Sequence, residues 1–365
     1  MFVALRDLRF AKGRFALMGA VVFLITLLVT MLSGLTAGLA RENISAVESL
    51  PAGHLVFAGG GKPAFADSRV TDRTWQEWRR VAGDSVERLG VSMSRLGYGG
   101  DQSAGVALFG VQPGGVLAQG RPVDTGRIVL SAALAADTGV GTGDTVRIAG
   151  KDFTVSGVGG EASYSHTPVV WLGIGDWEWM GRQGGADTVA TVLALPDDGA
   201  DRLASSPGGT DGLAAADVRI GTTTVPLSDA PAAIGSFSSE NGSLQLMRGF
   251  LFAISALVIG AFFTVWTIQR RGDVAVLKAL GASSGYLLRD ALAQAVIVLL
   301  GGAGVGGLLG AGLGALAEGT VPFVLSVTTT VVPVAVMVVL GAAGAALAIR
   351  KITSVDPLTA LGASR

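Results

Sequence analysis

The chain has only two imidazoles, His54 and His166, and no cysteine. A zinc site or a serine–histidine pair would have to draw on these two. They stand 112 positions apart, so no local motif joins them, and structural or surface roles are expected. Without thiols, disulfides, thiolate metal sites and cysteine nucleophiles are excluded. The absence also suits a domain outside the cytoplasm. GGGK at 59–62 is not a phosphate loop, which needs GxxxxGK followed by Ser or Thr, because Pro63 comes next. GVGTG at 139–143 lacks the strand-to-helix setting of a nucleotide site and reads as a turn. Trp171, Trp177 and Trp179 read as core or membrane-interface packing rather than a ligand cage. No catalytic set and no intrinsic metal or cofactor site emerges, and the chain is expected not to be an enzyme.

The elements around these residues explain why. Half of the 365 residues are hydrophobic and only 15% are charged, against about 25% in soluble domains. A helix spans a bilayer with about 20 mostly apolar residues. Four stretches qualify, over about 15–40, 247–268, 291–317 and 324–349. Eleven basic residues flank them on one side: Arg6, Arg9, Lys12, Arg14, Arg270, Arg271, Lys278, Arg289, Arg350, Lys351 and Arg365. Four acids share that side: Asp7, Asp273, Asp290 and Asp356. The basic side is predicted to be cytoplasmic, with both termini inside and residues 41–243 outside. The first stretch has the basic start and small-residue end of a signal peptide. Its apolar run exceeds the 7–15 residues typical of one, so a span is the stronger reading. Residues 1–14 read as an amphipathic helix on the inner face. The net charge of −1 gives no sign of nucleic-acid binding.

The outer segment reads as α+β. GTGDTVRIAGKDFTVSGV (141–158) is a β-hairpin turning at AGKD. A short helix at 130–140 should close near Gly139. Residues 74–83 form a second helix, and 165–180 a strand followed by a helix starting near Asp176. The Gly-, Ser- and Asp-rich run 196–243 is expected to be exposed loops that end in a flexible connector, GSFSSENGS, at 235–243.

Inside the spans, Gly302, Gly306, Gly310 and Gly314 recur at every fourth position, as do Gly34 and Gly38. Such faces let helices approach closely. They pack the helices of one subunit together, or they pack against a second copy and slide. The spans are nearly free of ionisable groups, which argues against a channel or ion-coupled transporter.

Between the second and third spans lies RRGDVAVLKALGASSGYLLRD (270–290). Val274, Leu277 and Leu280 share a helical face. Gly281 can end that helix, and Ser283 or Ser284 can cap the next. The apolar face needs something to bury against. This stretch resembles the coupling segment of MacB/FtsX-type ABC transporter permeases, R-x-E-I-x-V-L-K-A-L-G-A-S, with Asp273 in the place of glutamate. The tail RKITSVDPLTALGASR (350–365) is similar to the family's DP-x-x-AL ending, and the one-plus-three spacing of spans also matches.

The resemblance implies a membrane α-helical fold of four transmembrane helices, with a large extracytoplasmic α+β domain inserted between helices 1 and 2. Its parts are an inner helix over 1–14, spans over 15–40, 244–269, 289–317 and 326–349, the outer domain over 41–243, a coupling helix and turn over 270–288, an outer loop over 318–325 and a cytoplasmic tail over 350–365. It implies a homodimer in the plasma membrane, seated on two copies of an ABC ATPase that carries ATP and Mg. Arg270, Arg271, Asp273, Val274, Leu277, Lys278, Leu280 and Gly281 would form the contact, with the basic groups pairing with acids or lipid phosphates. Transport would then proceed by mechanotransmission without a central channel.

Cargo is the least legible feature. The outer domain and RDLRFAKGRFALMG resemble the HrtB-like haem-exporter subgroup of that family. Haem as substrate could meet Met31, since methionine can ligate haem iron, or the carboxylates Glu42, Glu48, Glu240 and Glu318 near the outer span ends. Lipid or lipoprotein extrusion, or FtsX-like regulation of an outer hydrolase, are the alternatives from the same architecture.

Overall fold

The computed structural model describes residues 12–183, 187–196, 211–269, 272, 276, 280–317 and 320–353. The expected inner helix over 1–14 lies almost wholly outside them, as does most of the tail. The chain divides into two compact units, Met1–Gly38 with Ser243–Arg365, and Leu39–Gly242.

Among the described residues, four helices are long and apolar enough to cross a membrane. They are α1 (Lys12–Glu48), α6 (Gly235–Gln269), α7 (Ser284–Ala317) and α8 (Val327–Thr353). Within the first unit, Met18 and Val22 of α1, Phe263 of α6, Leu299 of α7 and Met337 of α8 meet in one buried cluster. Phe263 and Trp266 stack edge to face at 6.1 Å, an arrangement that the negative ring face and positive ring edge favour.

The outer unit is α+β. Its strands are β1 (His54–Ala58), β2 (Glu87–Tyr98), β3 (Gln102–Val111), β4 (Arg127–Leu130), β5 (Thr145–Ile148), β6 (Lys151–Val158), β7 (Ser163–Tyr164), β8 (Thr167–Gly173), β9 (Val192–Leu195) and β10 (Thr222–Pro226). Helices α2 (Asp72–Ala82), α3 (Ala132–Thr138), α4 (Ile174–Gln183) and α5 (Asp211–Ile220) lie between them. The order is β10-β1-β9-β2-β3-β8-β4-β6-β5, and β5 pairs back onto β2. The path from β2 to β5 therefore closes on itself as a small barrel. β2 is long enough to serve both parts: Glu87–Leu89 pair with β9, and Gly90–Tyr98 pair with β3.

Local chemistry accounts for the hairpin and helix ends. The β5–β6 turn puts Ala149 and Gly150 at φ 48° and 82°, the double left-handed geometry that matches strand twist in two-residue hairpins. Thr71 accepts a hydrogen bond from the Thr74 N–H at the start of α2, and Gly139 at φ 70° ends α3. Of the tryptophans, Trp171 is fully buried and Trp177 nearly so, whereas Trp179 is exposed. Trp177 sits in a notch made by Gly90 and Gly110, which face each other across β2 and β3. A Cβ on Gly90 would overlap the indole. We expect Gly90→Ala to destabilise the outer unit by about 1–3 kcal/mol through overpacking, read as a lower midpoint in thermal unfolding. An unchanged midpoint would show that the indole can move aside.

Two expectations are corrected. Residues 235–243 are not a flexible connector but the first turns of α6. Ile234 is buried, Phe237 packs on the outer core, and the Ser238 N–H donates to the Ile234 carbonyl at 2.9 Å; packing overrides weak local propensity. The run 196–243 is also not all loop. β10 pairs with β1 along its whole length, and α5 precedes it, with 197–210 outside the described residues. The first helix itself runs past the expected span. It continues to Glu48 because Ile44, Ala46 and Val47 join the outer core.

Candidate functional site

Two regions make up the candidate site. The first is the connector before α7. Arg270, Arg271, Asp273, Val274, Leu277 and Lys278 lie outside the described residues. Leu280 and Gly281 are described. The Leu280 N–H donates to the Val276 carbonyl at 3.0 Å, the spacing of an α-helical turn. Gly281 then takes φ 95°, open to glycine and strained for other residues. Ser283 restarts the helix: its Oγ accepts from the Tyr286 N–H at 3.3 Å, so Ser283 is the cap of α7. Val276 and Leu280, four residues apart, are 59% and 80% exposed. An apolar pair this open at helical spacing is an unburied face.

The second region lies at the turn between β7 and β8. Ser165 and His166 both have positive φ, 52° and 60°, and their N–H groups donate to the Asn43 and Glu42 carbonyls of α1 at 3.0 and 3.2 Å. The His166 Nε2 lies 2.8 Å from Glu240 Oε2 and 3.0 Å from Asn43 Nδ2. Its Nδ1 lies 3.6 Å from Glu42 Oε2. Ser236 Oγ donates to Asn43 Oδ1 at 2.7 Å, and Ser165 and Ser236 share a hydrogen bond at 2.8 Å. The hairpin tip thus ties the end of α1 to the start of α6. It also gathers Glu42 and Glu240 around one imidazole.

Glu48 is exposed on α1 and does not join this cluster; Met31 is half-buried on the same helix. Glu318 lies outside the described residues. Sequence reasoning set His166 aside and missed Asn43, Ser165 and Ser236. Their partners are 71 to 197 positions away, so no local pattern could have joined them. No cluster of three or more His, Cys, Asp or Glu suited to a metal ion occurs among the described residues.

The glycine faces are packed inside the first unit. A Cβ on Gly302 would stand 2.8 Å from the Gly19 carbonyl oxygen, and one on Gly306 2.6 Å from that of Phe23. Gly310 meets Thr30 at 3.0 Å, while Gly34 and Gly314 both lie against the Phe323 ring. Gly38 lies so close to the Pro322 carbonyl that a Cβ there would overlap its oxygen. Among the described residues, this α7 stripe is therefore covered by α1 at Gly302, Gly306 and Gly310 and by Phe323 at Gly314.

Residues 15–206, more than half of the chain, match the MacB-like periplasmic core domain. Residues 246–357 match the FtsX-like permease C-terminal family. The chain belongs to the MacB/FtsX-type permeases. This permease is a multi-pass membrane protein of the ABC transporter class. It is 27% identical over 365 residues to a Staphylococcus haemolyticus protein named as a candidate hemin transport system permease, HrtB, with 99% of each chain covered. It is 24% identical over 369 residues to an uncharacterized ABC transporter permease of Mycobacterium tuberculosis, again over 99% of each. Among solved structures, the periplasmic region of MacB from Actinobacillus actinomycetemcomitans aligns at 13% identity and TM-score 0.35, covering 52% of the permease and 94% of that chain. The extracellular domain of the transporter YknZ from Gram-positive bacteria aligns at 15% identity and TM-score 0.34, covering 48% and 98%.

Proposed function

We propose that this permease couples ATP hydrolysis by a separate ATPase to the export of a hydrophobic or amphiphilic compound, with haem the preferred cargo. In this reading two copies of the chain pair in the plasma membrane, termini inside, and each meets one ATPase subunit. The observation that carries the coupling is the exposed pair Val276 and Leu280, at helical spacing between two spans and closed by Gly281. A rigid turn of that kind can receive a push, because its apolar face gains by burial in a partner groove.

The haem reading is supported by the name of the Staphylococcus relative and by the ligand chemistry at the outer helix ends. Met31 offers a thioether, and Glu42 and Glu240 offer carboxylates beside His166. Imidazole and thioether groups are common axial ligands of haem iron. Haem itself would be substrate, not a resident group.

The test is a haem titration of the purified permease, following the Soret band, in wild type, Met31→Ala and Glu240→Ala. Saturable binding weakened about tenfold or more in Met31→Ala puts the site in the first span. The same loss in Glu240→Ala puts it at the outer cluster. Binding no greater than that of empty micelles in all three would leave haem without support and turn attention to lipid extrusion.

A further inference from the structure

The outer unit contains a cavity of about 530 Å³, within the range of small-molecule sites. Its wall is mainly apolar and includes Phe65, Val91, Met93, Trp177 and Ile234. Met93 is 55% exposed there, an unusual degree of openness for a methionine beside a largely buried indole.

The polar groups on the wall divide into two kinds. Most are committed. Ser68 Oγ donates to the Thr191 carbonyl and accepts from the Ala58 N–H. Ser92 Oγ accepts from the Trp177 indole N–H at 2.9 Å. Thr191 Oγ1 donates to the Val91 carbonyl and accepts from the Val91 N–H. Ser165 and Ser236 hold each other. Two hydroxyls make no hydrogen bond to another described residue, those of Thr188 and Tyr164, and the Arg69 guanidinium is held only by a backbone carbonyl.

Tyr164 is the most informative of these. It is only 8% exposed, and its ring is fixed edge to face against Phe65 and Phe109, both at 5.7 Å. Its hydroxyl makes no hydrogen bond to another described residue, and the side chain lines the cavity. The hydroxyl is not among the buried unpaired polar atoms, so water reaches it, and a ligand group in the cavity can take that water's place. Burial pushes its ionisation upward, which keeps it a neutral donor. Arg69 contacts only the Asp67 carbonyl, at 3.5 Å, and pairs with no carboxylate among the described residues. The described wall therefore offers a cation and a free donor, and no anion, beside an apolar surface.

From this we infer that the outer unit binds an amphiphile with an apolar body and a carboxylate head, the body lying against Met93, Trp177 and Ile234 and the head meeting Arg69 and Tyr164. The site is independent of the haem reading, since it needs no iron and neither carboxylate of the His166 cluster. Two sources share this chemistry: a long-chain fatty acid and a carboxylated macrocycle.

The experiment uses the full-length permease in lipid nanodiscs with a diazirine-tagged palmitate, and maps cross-links by peptide mass spectrometry. Saturable labelling of the peptides around Met93 and Ile234 is expected. Hydrogen bonds to a charged group are strong enough that Arg69→Glu should weaken labelling about tenfold or more, and Tyr164→Phe about threefold. Met93→Trp, which fills the cavity, should abolish it. A matching probe with an alcohol head should label poorly. Competition by oleate would assign the site to acyl chains, and competition by metal-free protoporphyrin to macrocycles; either supports the shared chemistry. Labelling confined to the spans, equal labelling in Arg69→Glu, equal labelling by the alcohol probe, or competition by neither compound would overturn the inference. Arg69 is on the surface, so its variant keeps the test valid even if the cavity-filling variant fails to fold.

Discussion

Gly38→Ala and Gly306→Ala should each cost the membrane unit several kcal/mol, while Gly304→Ala should be indistinguishable from wild type. Overpacking a close-fitted interior usually costs about 1–3 kcal/mol and sometimes more. These two sites belong at the upper end because the obstruction is backbone. The added methyl on Gly306 would stand 2.6 Å from the Phe23 carbonyl oxygen, and that on Gly38 closer still to the Pro322 carbonyl oxygen. A side chain can change rotamer, but the Phe23 carbonyl moves only if α1 moves, and the Pro322 carbonyl only if the connection between α7 and α8 moves. Gly304, on the same helix as Gly306, has nothing within 4 Å, so it controls for the loss of glycine itself. The measurement is the surviving monodisperse fraction after heating, in detergent. Equal survival of Gly304→Ala and Gly306→Ala would mean that α1 and α7 do not pack along this stripe.

The second large effect concerns the connector. Leu280→Asp should leave the permease folded, because the side chain is 80% exposed and supports no internal packing. It should nevertheless weaken association with the ATPase about tenfold to a hundredfold. Burying a leucine is worth about 1.5–3 kcal/mol, and each 1.4 kcal/mol is a factor of ten in affinity. Substrate-stimulated ATP hydrolysis should fall in parallel. Normal assembly with normal stimulation would remove Leu280 from the coupling surface. Gly281→Ala separates shape from contact: it keeps the apolar pair but strains a residue at φ 95°. Such strain costs about 1–3 kcal/mol, so coupling should weaken while the contact residues remain.

The spans, the β5–β6 hairpin and the short helix closed by Gly139 were legible because each rests on local signals: apolar run length, a turn dipeptide, a left-handed glycine. At the end of the connector, sequence placed the helix stop at Gly281 and left Ser283 and Ser284 open as the next cap; the hydrogen bond from the Tyr286 N–H decides for Ser283. The first turns of α6 were not legible, because Gly235 to Ser243 have weak helical propensity and are fixed by Phe237 and by ties from Ser236 and Glu240 to distant residues. The partner of the α7 glycine stripe was also illegible. Spacing shows that a face is small, but only packing shows that α1 and Phe323 cover it. The outer carboxylates Glu42 and Glu240 were singled out from position along the chain. The imidazole between them was not, since it arrives on a hairpin from elsewhere in the sequence.

Ring closure in the outer unit bears on how such a domain survives at high local density on a cell surface. Unpaired strand edges recruit other strands and seed aggregation. Pairing β5 back onto β2 removes both edges from that part of the sheet. Among the described strands, the order leaves β10 as the outermost member of the long path. That strand is five residues long and ends in Pro226, which has no N–H to offer a neighbour. Crowded copies would therefore find little backbone to zip onto, and self-association should depend on side chains alone.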